Sequence, residues 1–117
     1  MSDYKNLDVW NLSHKLVLDI YELTHAFPKS ELYGLKSQMR RAAYSVPTNI
    51  AEGYGRLHRK ELIQFLNIAK GSANELEYEL LLAKDLSYIS VEEYEEVNVR
   101  VNTVMKMLTG LIRSINR

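Results

Sequence analysis

The chain has no cysteine among its 117 residues. Disulfide staples, thiolate nucleophiles and cysteine-ligated zinc are therefore excluded. Its two prolines and five glycines are too few for a loop-rich or collagen-like chain. No apolar run approaches the ~18 residues that a membrane-spanning helix needs. The opening MSDYKNLDVW lacks both a basic n-region and an apolar h-region. A soluble, cytoplasmic protein with no membrane partner is expected. The formal net charge is zero, which speaks against a generally basic nucleic-acid binder.

Residues that carry chemistry are also scarce. Three histidines are present, His14, His25 and His58. Glu22 and His25 form one Glu-x-x-His pair, whereas a di-iron bundle needs two such pairs and further glutamates. Neither residue falls on the main apolar seam of its segment, so they read as a solvated pair. Ser45 and Thr48 have no histidine near them in sequence to act as a base. EGYGR has two glycines and follows a helix rather than a strand, so it lacks phosphate-cradling form. No metal, cofactor, small-molecule substrate or enzymatic activity is expected.

What is present is an ordinary globular composition, 46% hydrophobic and 26% charged, enough for one modest core in a single domain spanning 1–117. The charge is blocked along the chain. Residues 29–60 carry seven Lys/Arg against two acids, and 61–97 carry nine acids against two lysines. Residues 98–117 carry four Lys/Arg and no acid, while 1–28 carry two lysines against four acids. Such blocks suit antiparallel helices that face opposite charge, within or between subunits.

Periodicity predicts four helices. Val97, Val101, Val104, Leu108, Leu111 and Ile115 form a heptad-like seam, widened by Met105 and Ile112. Ser90 and Glu93 make a capping box that starts this helix near Val91. In the first segment Val9, Ser13, Leu16, Ile20, Leu23 and Phe27 line one face, and Pro28 ends the helix. Trp10, Val17, Tyr21 and Thr24 line the neighbouring face. The third helix, from about 59 to 87, gathers Leu62, Phe65, Leu66, Ala69, Ala73, Leu76, Leu80 and Ala83, with Leu81 and Leu82 outside the stripe.

The stretch QMRRAAYSVPTNIAEGYGR belongs to the second helix, expected from about 32 to 54. Leu35, Met39, Ala42, Ala43, Val46, Ile50 and Gly53 keep one apolar phase through Pro47. Proline lacks its N–H and crowds the carbonyl four residues back, here Ala43. One long helix bent near Ala43–Pro47 is therefore expected, with the Asn49 amide on backbone groups freed by the bend. Gly53 and Ala42 in this helix, and Gly71 and Ser72 in the next, suggest close backbone approach. Short connections at Pro28–Ser30, Gly55–His58 and Ser87–Ser90 imply antiparallel neighbours. The fold class is all-α, an antiparallel up-down-up-down four-helix bundle with a proline-kinked second helix.

Two functional surfaces compete. Lys36, Arg40, Arg41, Arg56, Arg59 and Lys60, interleaved with aromatics, can neutralise phosphates and stack bases. Tyrosine and arginine are also what subunit interfaces favour. Trp10, Val17, Tyr21, Tyr33, Tyr44, Leu81, Leu82, Met105 and Ile112 form a surplus apolar surface that favours self-association.

The segments YGLKSQMRRAAYSVPTNIAEGYGR and IAKGSANELE are the most specific pieces of a resemblance running from about Leu7 to Leu111. With LDVWNLSHKLVLDIYELTHAFPKS and KMLTGLI, the chain resembles the 23S rRNA intervening-sequence protein family. That resemblance implies a four-helix bundle assembling into a ring-like homopentamer, and no catalytic motif. It also implies kinship with accessory proteins of diversity-generating retroelements, which are basic, bind nucleic acid and partner a reverse transcriptase. The family pattern falls on Arg40, Arg41, Ala42, Pro47, Asn49, Ala51, Glu52, Gly53, Gly71, Ser72 and Glu75. The chain departs from it at His58, where a Ser or Thr cap is typical, and in its zero net charge. The expected function is a non-enzymatic, self-assembling, RNA- or RNP-associated bundle. The alternative is a structural or protein-binding scaffold, including a reverse-transcriptase accessory role.

Overall fold

The computed structural model describes residues 3–117. Four helices account for most of them: α1 (Asp8–Thr24), α2 (Leu35–Tyr54), α3 (Arg59–Asp85) and α4 (Val91–Ile115). Three-residue 3-10 turns lie at Tyr4–Asn6 and Lys29–Glu31, and no strand occurs among the described residues. A helix the length of α4 spans about 37 Å at 1.5 Å per residue, which accounts for most of the molecule's 43 Å long axis.

The first connection is longer than the expected Pro28–Ser30. Helix α1 stops at Thr24 because the chain tightens to three-residue spacing: His25 N–H donates to the Glu22 carbonyl and Phe27 N–H to that of Thr24. Pro28 then leads the backbone out in an extended conformation. Helix α2 begins at Leu35, three residues later than expected, so Tyr33 precedes it. Its N-cap is Gly34, which has no side chain to offer. The Glu31 carboxylate takes over, accepting from Leu35 N–H at 3.0 Å and from the Tyr88 hydroxyl at 2.9 Å. Those two donors, the Leu35 amide first, hold its carboxyl below the usual glutamate range.

Helix α2 is continuous through Pro47, which is buried. The unbroken apolar phase explains this: with its inner face packed on both sides, the helix tolerates the missing donor. Asn49 does bond backbone, but it donates to the Ser45 carbonyl at 2.8 Å and not to Ala43, the group that proline deprives. Its amide also reaches the Ser45 hydroxyl at 2.9 Å.

The helices form a square in which α1 and α3 each pack on α2 and α4, and the diagonal pairs do not meet. The α2–α3 contact is the most extensive. There the Ser45 and Ser72 hydroxyls hydrogen-bond at 2.8 Å, and Ala42, Ala43, Ala69 and Ala73 are buried. Contacts run from Glu31–Tyr88, just before α2 and just after α3, through Ser45–Ser72 to Gly53–Leu62. On the far side Asp19 of α1 meets Arg100 of α4 at 2.7 Å.

The helix ends follow local chemistry. Ser90 and Glu93 form the expected capping box at α4. Helix α3 has His58 as its N-cap, without a side-chain hydrogen bond, and ends in a Schellman motif. Ser87 N–H donates to Lys84 and Tyr88 N–H to Ala83, both at 2.9 Å, with Ser87 at φ 63°. Between the ends, side chains such as Leu16, Ile20, Met39, Ile50, Leu66 and Leu108 are fully buried, each contributing about 1.5–3 kcal/mol.

The glycines separate into two kinds. A Cβ at Gly53 would stand 3.0 Å from both Leu62 Cδ1 and Phe65 Cβ, as close packing requires. Gly71 is the correction: it faces solvent with nothing within 4 Å of where a Cβ would lie, two residues from both inward-facing Ala69 and Ala73. Replacing Gly53→Val is therefore expected to cost about 1–3 kcal/mol through overpacking. Gly71→Ala should instead stabilise by about 0.5–1 kcal/mol, the helix-propensity gain. Urea unfolding midpoints check both, and a destabilised Gly71→Ala contradicts the assignment.

Candidate interaction surfaces

The six basic residues singled out in the sequence do not form one surface. Arg40 is used inside the bundle. Its Nε donates to Thr24 Oγ1 at 2.9 Å and its Nη2 to the Tyr21 carbonyl at 3.1 Å, while its guanidinium lies 4.3 Å from the Tyr21 ring centre. It thus satisfies a carbonyl left free where α1 tightens, and places positive charge at that helix's negative end. Lys36 is half-buried and Arg41 exposed on α2. Arg56 pairs with Glu52 at 3.0 Å and lies over the Phe65 ring at 4.8 Å. Arg59 and Lys60 are exposed at the start of α3, with Arg59 Nη1 donating to the Arg117 backbone oxygen at 3.4 Å. Arg56, His58, Arg59 and Lys60 therefore form an exposed basic turn, around a Leu57 that is 95% exposed.

The surplus apolar residues divide as well. Val17, at 9% exposure, belongs to the bundle's own core. Trp10, Leu82, Met105 and Ile112 are half-buried against that core. Tyr21, Tyr44 and Leu81 remain exposed, and Tyr33 is 93% exposed. Leu57 and Tyr78 are exposed too, and neither is marked by periodicity, one being a loop leucine and the other a tyrosine off the apolar stripe.

Tyr44 forms a ridge between two open grooves. One, of about 580 Å³, runs between α1 and α2 and includes Trp10, His14, Pro47, Thr48 and Ala51. Trp10 and His14 stack in it at 5.3 Å with nearly parallel rings. The other, of about 780 Å³, runs between α2 and α3 and includes Gln38, Arg41, Ser45, Ser72, Glu75, Tyr78 and Glu79.

Glu79 is the residue that the sequence reading missed. It is only 5% exposed, and its Oε1 has no hydrogen-bond partner among the described residues. Burial, reinforced by the charge of Glu75 and a hydrogen bond with it, pushes its carboxyl up to about 7. The signal was available: residue 79 lies three after Leu76 and four before Ala83, within the inward stripe of α3.

The charge blocks scarcely pair with one another within the chain. Of the four ion pairs among the described residues, only Asp19–Arg100 crosses between helices. Arg100 also holds Glu96 at 2.9 Å.

These features define a class: helical bundles whose distinctive side chains lie on open grooves and turns. The family model described as 23S rRNA-intervening sequence protein matches residues 5–110, and the chain belongs to that family. It is similar to a crystal structure from Bacteroides thetaiotaomicron VPI-5482, described as a protein with unknown function from the S23 ribosomal protein family. The two are 30% identical with a TM-score of 0.81, over 89% of this chain and 97% of that one. No match to a curated protein was found.

Glu79 gives stability a distinctive pH dependence. Its folded value near 7 lies above the ordinary 4.5. Between those values the folded chain keeps a proton that the unfolded chain has lost, so this group's contribution falls as pH rises. Glu79→Gln removes the titration. Its stability advantage over the wild type should widen from pH 4.5 to 7 and reach about 2–3 kcal/mol at pH 8. Urea unfolding of both proteins across pH 5–8 checks this, and a constant difference contradicts it.

Proposed function

We propose that this chain is a non-enzymatic, self-assembling bundle, cytoplasmic, and a homopentamer by resemblance to its family. The observation that carries the reading is the unused surface of α2 and the turns at its two ends. Tyr44 stands exposed between two grooves, and Tyr33 and Leu57 are almost fully exposed. Exposed apolar and aromatic side chains spread along one helix and its flanking turns suit an interface. The blocked charges add support: among the described residues the basic block 29–60 has one ion pair, Arg56–Glu52, and none to a neighbouring helix. Opposite blocks left unpaired within a subunit are free to pair between subunits. In this reading the helices alternate up-down-up-down, as the rising and falling contact pairs support, and α2 bends at Pro47.

A second reading concerns RNA. The turn with Arg56, His58, Arg59 and Lys60 is exposed and set apart from the acidic part of α3. Repeated around a ring, it offers phosphate contacts whose individual weakness is offset by avidity. An RNA- or RNP-associated role, or service to a reverse transcriptase, fits that turn better than it fits Arg40. A purely structural scaffold is the alternative, and it makes no use of the turn.

Sedimentation at micromolar concentration should find an oligomer, and Tyr44→Glu should dissociate it without loss of helicity. A stable wild-type monomer defeats the reading. For the RNA role, binding measured across a salt series should weaken steeply. Replacing Arg56, Arg59 and Lys60 by Ala should lower the slope by about 2, at roughly 0.7 per phosphate contact for single strands, with the oligomer intact. If the same changes break the oligomer, the turn belongs to the subunit contact.

A further inference from the structure

The α2–α3 groove contains a feature that neither self-assembly nor phosphate binding uses. Its lining includes the buried carboxyl group of Glu79, whose Oε1 has no hydrogen-bond partner among the described residues. A buried polar atom in that condition costs about 1–3 kcal/mol, and more where it is charged. Four residues earlier, Glu75 stands exposed at the mouth of the same groove. Side chains four apart on a helix lie about 5–6 Å from each other at Cβ, so the two carboxyls form a graded pair, one wet and one dry. The groove offers aromatic surface from Tyr44 and Tyr78, and aliphatic surface from Leu35 and Leu82.

We propose that this groove is a binding site for an aliphatic ammonium cation, with Glu79 as the inner counter-ion and Glu75 as the outer one. An ammonium group supplies three donors and a compact charge, which match an unpartnered buried carboxylate oxygen. Its methylene chain suits the leucine walls, and the tyrosine faces attract the charge. Arg41 borders the groove but is exposed and forms no ion pair among the described residues. Its planar guanidinium sits at the rim, and the inner oxygen remains without a partner.

The charge state of the site follows from the groups that face it. Arg41 and Tyr44 border it from α2, and Glu75 and Tyr78 from α3. Burial favours the neutral acid in the empty groove, and an ammonium favours the carboxylate. Binding therefore releases a proton from Glu79, and affinity rises with pH through the neutral range.

Calorimetric titration with putrescine and with N-acetyl-lysinamide, at pH 6 and pH 8, tests the proposal. The wild type should bind about tenfold more tightly at pH 8. Glu79→Gln, which keeps the side-chain shape, should lose at least tenfold at pH 8 together with the pH dependence. Glu95→Gln, on an exposed part of α4, should behave as wild type. Preference for putrescine assigns the site to a free diamine, and equal binding of the lysine derivative assigns it to a lysine side chain. Carbon-13 titration of the Glu79 carboxyl in the wild type supplies a readout independent of the variants: saturating amine should lower its midpoint by a full pH unit or more. Absence of binding at pH 8, equal binding by Glu79→Gln, or an unmoved midpoint overturns the proposal.

Discussion

The close approach of α2 and α3 governs the rest of the molecule. At Ser45–Ser72 the two helices are near enough for their hydroxyls to bond at 2.8 Å, and at Gly53 there is no room for a larger residue. Small residues are the only ones that allow such a distance, and the alanines on both inner faces supply it. The consequence is a rigid pair on which α1 and α4 lie as the other side of the square. Because α2 is held from both sides, a proline in its interior leaves the helix unbroken. The same closeness opens a groove along one flank, where the surfaces of two nearby cylinders diverge.

Arginine 40 shows how the second pair is fastened. Helix α1 ends by tightening, which frees the Tyr21 carbonyl, and Arg40 reaches from α2 to take it together with Thr24. Thr24 in turn donates to Ile20 at 2.7 Å, so the last turn of α1 is tied to α2 by side chains and not by the loop alone. The ten-residue connection from 25 to 34 then has little to hold in place. An arginine of this kind is occupied by the fold before any partner arrives. It is a poor choice for a phosphate contact, and the exposed turn after α2 is a better one.

The architecture was readable because it depends on period and punctuation. The seam of α4, the capping box at Ser90 and the continuous phase through Pro47 all rest on residue type at fixed spacing, and all three are present. What was not readable depends on which neighbour a residue meets. Gly71 and Gly53 look alike in sequence, yet one faces solvent and the other faces Phe65. Arg40 and Arg41 are adjacent, and a rotation of about 100° sends one to α1 and leaves the other at a groove. Val17 looked like surplus because its stripe borders the main one, while the square arrangement gives α1 two buried faces. Glu79 was hidden by its own chemistry: an acid inside an apolar stripe is naturally read as an interruption and not as a member.

That acid also bears on why the surface is organised as it is. A chain selected only for stability would place leucine or glutamine at position 79, since an unpartnered buried carboxyl lowers stability at neutral pH. Its neighbour Glu75 makes the situation worse by adding like charge one turn away. The opposite choice was available at Glu31, where two donors satisfy the carboxylate. The two glutamates thus mark different demands on one bundle. Glu31 closes the end of α2 and is satisfied within the chain. Glu79 lines a groove, and its Oε1 has no donor among the described residues, a condition that an ammonium bound there would relieve.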